Sequence, residues 1–125
     1  MVPFTLDYLD HVALLVEDLE KSADWYSSYL GLQRVTFPEW TPFPVMLLAG
    51  NSGIALFPRG DKHPARGINT VDHFAFRLSL EQLEVAKRYL ADAGLEYVEQ
   101  DHVYFRSIYL TDPDGYRVEL TAPTT

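Results

Sequence analysis

Two histidines stand inside runs that otherwise alternate like buried strands. His11 lies in LDHVALLV, residues 9–16, and His73 in VDHFAFRL, residues 71–78, and both runs carry Asp-His-x-Ala. Neutral imidazole is the commonest protein metal ligand. Side chains two apart on an extended chain share a face, so His11 sits with Ala13 and Leu15, and His73 with Ala75 and Arg77. An alanine beside each ring leaves room that a larger residue would fill. Two imidazoles over open space suggest a metal-centred cavity, and a third ligand is expected from a strand of the same kind. The segment YRVEL, residues 116–120, supplies Glu119, flanked by Val118 and Leu120. A buried carboxylate is costly unless it is paired or coordinates a cation. The competing expectation is a solvated, outward-facing Glu119, because Arg117 shares its face. In the first half the matching strand is GIALF, residues 53–57, where Ala55 or Phe57 aligns with Glu119 and neither binds a metal. Two histidines and one carboxylate, open on one side, form the set that holds non-haem Fe(II) with positions for substrate and dioxygen. Mn(II), Ni(II) or Zn(II) would also fit.

The elements that must position these groups repeat as well. After the first histidine run comes EDLEKSADWYSSYLGL and after the second SLEQLEVAKRYLADAGL. In each, alternation gives way to apolar residues three or four apart: Leu19, Ala23, Tyr26 and Leu30, then Leu83, Ala86, Tyr89 and Leu90. Asp18 and Ser79 occupy helix N-cap positions, and Gly31 and Gly94 left-handed C-cap positions. Extended segments follow at 32–37, 45–49 and 53–57, and again at 96–99, 104–110 and 116–121. Each half therefore reads β-α-β-β-β, giving an α+β fold of two modules, 1–58 and 70–125, joined by a Pro- and Gly-rich linker at 59–69. Two such copies side by side form one curved sheet economically. Asp112-Pro113-Asp114-Gly115 suits a type I turn closed by a glycine bulge. That register pairs Asp112 with Tyr116 and Tyr109 with Glu119.

Composition narrows the partners. The chain has 125 residues, 47% of them hydrophobic, a formal net charge of −8 and no cysteine. Nucleic acid and anionic membranes are poor partners for such an acidic surface. Disulfides, thiolate ligands and a cysteine nucleophile are all ruled out. No signal peptide is visible and no apolar run approaches the ~18 residues of a membrane span, so a cytoplasmic protein acting on small molecules is expected.

DHVALLVEDLEKSADWYSSYLGL, the second DHFAF and YLTDPDGYRVEL together resemble the vicinal oxygen chelate superfamily. That superfamily includes glyoxalase I, bleomycin-resistance proteins, fosfomycin-resistance enzymes and extradiol dioxygenases. The resemblance covers nearly the whole chain. It implies paired βαβββ modules forming an open eight-stranded mixed-sheet barrel around a divalent metal, with His11, His73 and Glu119 as ligands and a homodimer as the usual assembly. It leaves open whether His11 joins His73 within one chain or across a dimer. The fourth ligand of glyoxalase I maps to GIALF, which has none, and this counts against a glyoxalase I reaction.

His102 to Glu119, HVYFRSIYLTDPDGYRVE, also resembles the extradiol dioxygenase signature through His102, Ile108, Tyr109, Asp112, Pro113, Gly115 and Glu119. Gln100 departs from it, standing where a small, β-branched or Asn residue is usual. By this resemblance His102 and Tyr109 orient substrate and oxygen through hydrogen bonds. Ser107, Ala13 and Ala75 are expected to border the substrate, the alanines through the space they leave over the histidines. The leading expectation is an Fe(II)-dependent dioxygenase acting on a catechol-like chelating substrate. A fosfomycin-resistance-like thiol or epoxide-opening transferase, or a glyoxalase-like lyase, is the alternative enzyme. The transferase shares the Ser-x-Tyr of Ser107 and Tyr109 but needs basic groups for an anionic phosphonate. A bleomycin-resistance-type drug-binding dimer is the alternative outside enzymes. His63, in the linker, is not assigned the extradiol general-base role.

Overall fold

Asp18 and Ser79 do what their positions predict. Each turns the chain from a strand into a helix, the Asp18 carboxylate accepting from the Lys21 N–H at 3.1 Å and the Ser79 hydroxyl from the Gln82 N–H at 3.1 Å. A side-chain oxygen at that position satisfies an N–H that the first helical turn leaves without a partner. The computed structural model describes residue 3, residues 7–60, residue 71 and residues 73–125. The chain divides into two units, Met1–Pro64 and Ala65–Thr125. Most of the expected linker, His63 included, lies outside the described residues.

In the first unit β1 (His11–Val16) leads into α1 (Leu19–Leu30), then β2 (Gln33–Val35), β3 (Val45–Ala49) and β4 (Ser52–Pro58). The sheet order is β1-β4-β3-β2, with β1 parallel to β4 and the other pairs antiparallel. Leu14, Val16, Val45, Leu47, Ile54 and Leu56 share the face that meets Ala23 and Tyr26 of α1, and all are buried. Arg34 ties β2 to this helix through two bonds to Glu20, at 2.7 and 2.8 Å. The guanidinium holds the Glu20 carboxyl below its ordinary range. A 3-10 helix over Pro38–Trp40, absent from the sequence expectation, lies between β2 and β3. Around it Phe37, Trp40 and Phe43 stand about 44–45% exposed, so they do not build the core.

Gly53 has a packing reason of its own. It faces His11 across the parallel ladder and Leu48 across the antiparallel one. A Cβ there would fall 2.1 Å from the Leu47 carbonyl oxygen and 2.9 Å from the Leu48 Cα. Gly53→Ala is therefore expected to destabilise the protein by about 1–3 kcal/mol or more, the cost of forcing a backbone shift in a packed site. Urea unfolding measures it.

The second unit repeats the plan: β5 (His73–Arg77), α2 (Leu80–Asp92), β6 (Val98–Asp101), β7 (Phe105–Thr111) and β8 (Arg117–Pro123), in sheet order β5-β8-β7-β6. Leu83 and Leu90 of α2 are buried with Ile108, Leu110, Val118, Leu120 and Ala122. Tyr89 is 52% exposed, so the α2 stripe is narrower than expected. The helix ends through Ala93, with Gly94 at φ 81 taking the left-handed position. The Gly94 N–H then reaches the Ala91 carbonyl and the Leu95 N–H the Leu90 carbonyl, at 3.0 and 2.9 Å. Strand β6 begins two residues later than the pattern suggested.

The α+β class and the two β-α-β-β-β modules hold. Among the described residues the strands form two four-stranded mixed sheets, each module completing its ladder among its own strands. Among the described residues no helix is long and apolar enough to cross a membrane.

Candidate metal centre

The Asp112–Gly115 turn sets the register of the second unit's site. Asp112 N–H donates to the Tyr116 carbonyl at 2.9 Å, Gly115 takes φ 89, and the Asp112 carboxylate accepts from the Asp114 and Tyr116 N–H groups. The seven residues of β7 follow in step, so Tyr109 faces Glu119 and Ser107 faces Thr121. On the other side of β8, parallel β5 places Ala75 opposite Glu119 and His73 opposite Arg117. One face of the sheet thus carries His73, Ala75 and Arg77, then Arg117, Glu119 and Thr121, then Tyr109 and Ser107.

Glu119 is only 7% exposed, which removes the solvated alternative. Its Oε1 lies 3.2 Å from His73 Nε2, and its Oε2 accepts from the Ser107 hydroxyl at 2.6 Å. The Ser107 oxygen is also 2.9 Å from Thr121 Oγ1. The Tyr109 ring stands edge-on to His73, centroids 5.8 Å apart, and its hydroxyl is 3.0 Å from His102 Nε2. His102 is brought there by a tight return between β6 and β7. Its N–H bonds the Phe105 carbonyl, while the Asp101 carboxylate holds the next N–H, of Val103, at φ 72. That conformation is strained for a β-branched residue. Tyr109 also borders a cleft of about 450 Å³ with Val98 and Thr111, a size suited to a small molecule.

Two cations lie on this face of an otherwise acidic chain. The Arg117 guanidinium sits 4.6 Å from the centre of the Tyr109 ring, and that of Arg77 5.7 Å from the centre of Phe105. Both distances are within cation–π range.

The first unit presents the other histidine. His11 Nδ1 is 2.8 Å from the Asp10 carboxylate, and because a carboxylate only accepts, the Nδ1 carries the proton. Nε2 is then the nitrogen with a lone pair, the arrangement that orients metal-binding histidines. Ala13 faces Ala55 just as Ala75 faces Glu119. This register settles the alignment that the sequence left open: Ala55, not Phe57, is the counterpart of Glu119. Met46, opposite Ala55, likewise corresponds to Tyr109. Along β1, β3 and β4 the first unit's version of this face is apolar except for His11.

His73, Glu119, Ser107, Tyr109 and His102 are thus gathered in one unit, with Ala75 in register beside Glu119. His11 and Ala13 belong to the other. Among the described residues no three His, Cys, Asp or Glu side chains assemble as a metal group. The His73–Glu119 pair nonetheless fits a divalent ion: one imidazole nitrogen and one anchored carboxylate oxygen converge, and this N/O chemistry suits first-row metals. Thr121, Arg117 and Asp10 were not singled out from sequence. Thr121 was reachable, since pairing Tyr109 with Glu119 pairs Ser107 with Thr121.

Comparison with known proteins agrees with this architecture. Residues 8–120 match the Glyoxalase family, described as the glyoxalase/bleomycin resistance protein/dioxygenase superfamily. Glyoxylase I 4 of Arabidopsis thaliana is 30% identical over 94% of this chain and 72% of its own length. Glutathione transferase FosA of Serratia marcescens is 28% identical over 92% and 80%. Catechol-2,3-dioxygenase of Bacillus subtilis is 27% identical over 92% of this chain but only 41% of its own length. Among solved structures, a glyoxalase/dioxygenase from Nostoc punctiforme superposes with a TM-score of 0.80 at 20% identity, covering 100% of this chain and 97% of that one. These relatives carry the names of enzymes of different reaction types. On the strength of the match over 8–120, the chain belongs to the glyoxalase/bleomycin resistance protein/dioxygenase superfamily, whose members generally depend on a divalent metal.

Proposed function

We propose that this chain is a metal-dependent dioxygenase of the extradiol type, with Fe(II) held by His11, His73 and Glu119 and a catechol-like substrate offering two adjacent oxygens. The observation that carries this reading is the His102–Tyr109 pair, 3.0 Å apart, on the face that holds Glu119 and edge-on to His73. The two residues that would hydrogen-bond the reactants thus lie beside His73 and Glu119, two of the three ligands proposed here. The bound metal would hold substrate and dioxygen side by side and polarise them. The protein's own groups do the rest. Ala13 and Ala75 leave space over their histidines. Tyr109 can pass a catechol proton to His102, since a phenol both donates and accepts. The acting assembly is taken to be a homodimer.

The Arg117 and Arg77 guanidiniums favour a second reading, a fosfomycin-resistance-like transferase, because an anionic substrate needs such cations. Protein loaded with Fe(II) under anaerobic conditions and then mixed with catechols and dioxygen separates the two. Oxygen uptake with ring-cleaved product is expected. Iron-loaded protein that consumes no oxygen across a broad catechol panel, yet adds a thiol to an epoxide phosphonate, would overturn the dioxygenase reading in favour of the second.

A further inference from the structure

We infer that Ser107 and Thr121 are positioning residues for the Glu119 carboxylate, forming a one-way hydroxyl relay, and that Ser107 does not contact substrate. The inference rests on the metal reading of Glu119 but not on the choice between dioxygenase and transferase.

Proton counting carries it. Ser107 is 2% exposed and Glu119 7%. Their oxygens are 2.6 Å apart, a short contact of the kind made by a hydroxyl donating to a carboxylate. A carboxylate has no proton to give, so the single hydroxyl proton of Ser107 goes to Glu119 Oε2. The Thr121 oxygen, 2.9 Å from that of Ser107, must then donate to it. The direction is fixed: Thr121 to Ser107 to Glu119. Strand register makes this possible, because Thr121 lies two residues beyond Glu119 on β8 and directly faces Ser107 on β7. With Oε2 held on this side, Oε1 is turned toward His73 Nε2 at 3.2 Å. The relay thus chooses which oxygen is presented to a cation beside His73. With its proton committed and its surface closed, Ser107 has no donor left for substrate. Partners of this kind, one step out from the metal, are typically worth about 10–100-fold in metal affinity.

Anaerobic competition for Fe(II) against a colorimetric chelator tests this on the whole chain. Ser107→Ala should weaken Fe(II) binding by about 10–100-fold. Ser107→Thr, which keeps the hydroxyl, should restore most of it, and Thr121→Val should cause a smaller loss than Ser107→Ala. Catechol affinity of the metal-saturated Ser107→Ala protein should match that of the parent. Circular dichroism confirms that each variant is folded, and Thr121→Val reads the relay independently should Ser107→Ala fail to fold. Unchanged Fe(II) affinity in Ser107→Ala and Thr121→Val overturns the inference alone. So does weakened catechol binding with metal affinity intact, because that result makes Ser107 a substrate contact. A parent protein that binds no Fe(II) overturns the metal reading and this inference together.

Discussion

Glu119→Gln is expected to lose divalent-metal binding almost completely while leaving the metal-free protein nearly as stable as before. Glutamine keeps the shape of the side chain and an oxygen that can accept from Ser107, so the 2.6 Å contact survives as an ordinary hydrogen bond. It also removes a buried charge, which folding does not favour. What disappears is the anionic oxygen facing His73 Nε2. Loss of a ligand should exceed the roughly 10–100-fold that an outer partner is worth. Calorimetric titration reads the affinity directly. Thermal unfolding supplies a second reading: metal at a hundred times its dissociation constant should stabilise the parent by about 2.7 kcal/mol and the variant hardly at all. Glu119→Ala should be worse in the metal-free state, since it leaves the buried Ser107 hydroxyl without its acceptor, at about 1–3 kcal/mol. A Glu119→Gln protein that binds metal like the parent would remove Glu119 from the ligand set. Mixing His11→Ala with Glu119→Ala then locates the third ligand. Recovered binding in the mixture means that sites are shared between two copies, and no recovery means that each site belongs to one chain.

Local order in this chain is legible because it is written in residues close together. The Asp18 and Ser79 caps, both helices and the Asp112–Gly115 turn each rest on hydrogen bonds spanning a few positions. The turn did more than end a strand. By fixing Tyr109 opposite Glu119 it fixed the whole site face of β7 and β8, Ser107 opposite Thr121 included. What could not be read depends on partners far apart in sequence. Whether Ala55 or Phe57 matched Glu119 required the register of β1 on β4, strands more than thirty residues apart. Burial of Glu119 likewise depended on what β5 and β7 place beside it. Tyr89 fits a helical period well enough to look buried, yet Leu83 and Leu90 already fill the contact with the sheet.

The duplicated module explains an asymmetry that residue types alone make puzzling. At equivalent register positions the first unit has Ala55 and Met46 where the second has Glu119 and Tyr109. At these positions the first unit has its histidine but apolar side chains in place of the carboxylate and the phenol. The second has all three and adds the hydroxyls that hold the carboxylate.

Tyr109→Phe tests the chemistry rather than the metal. The substitution removes one oxygen from a half-buried ring and leaves its packing against His73 and beneath Arg117 in place. Fe(II) affinity should therefore stay within about threefold of the parent, because no ligand or ligand-orienting bond is touched. Turnover of catechol should fall by about 10²–10⁴-fold, the usual worth of a positioned proton-transfer group. His102→Ala should fall by a similar factor, since the 3.0 Å bond makes the two side chains one unit. The pair gives a sharper result than either variant alone. Residues acting in series are strongly non-additive, so the double variant should be little slower than the worse single one. Steady-state oxygen uptake at saturating Fe(II) measures all four proteins. Losses that simply multiply would mean that His102 and Tyr109 act separately. A Tyr109→Phe enzyme with full kcat and a raised KM would make the phenol a binding contact, leaving the proton transfer to another group on the same face.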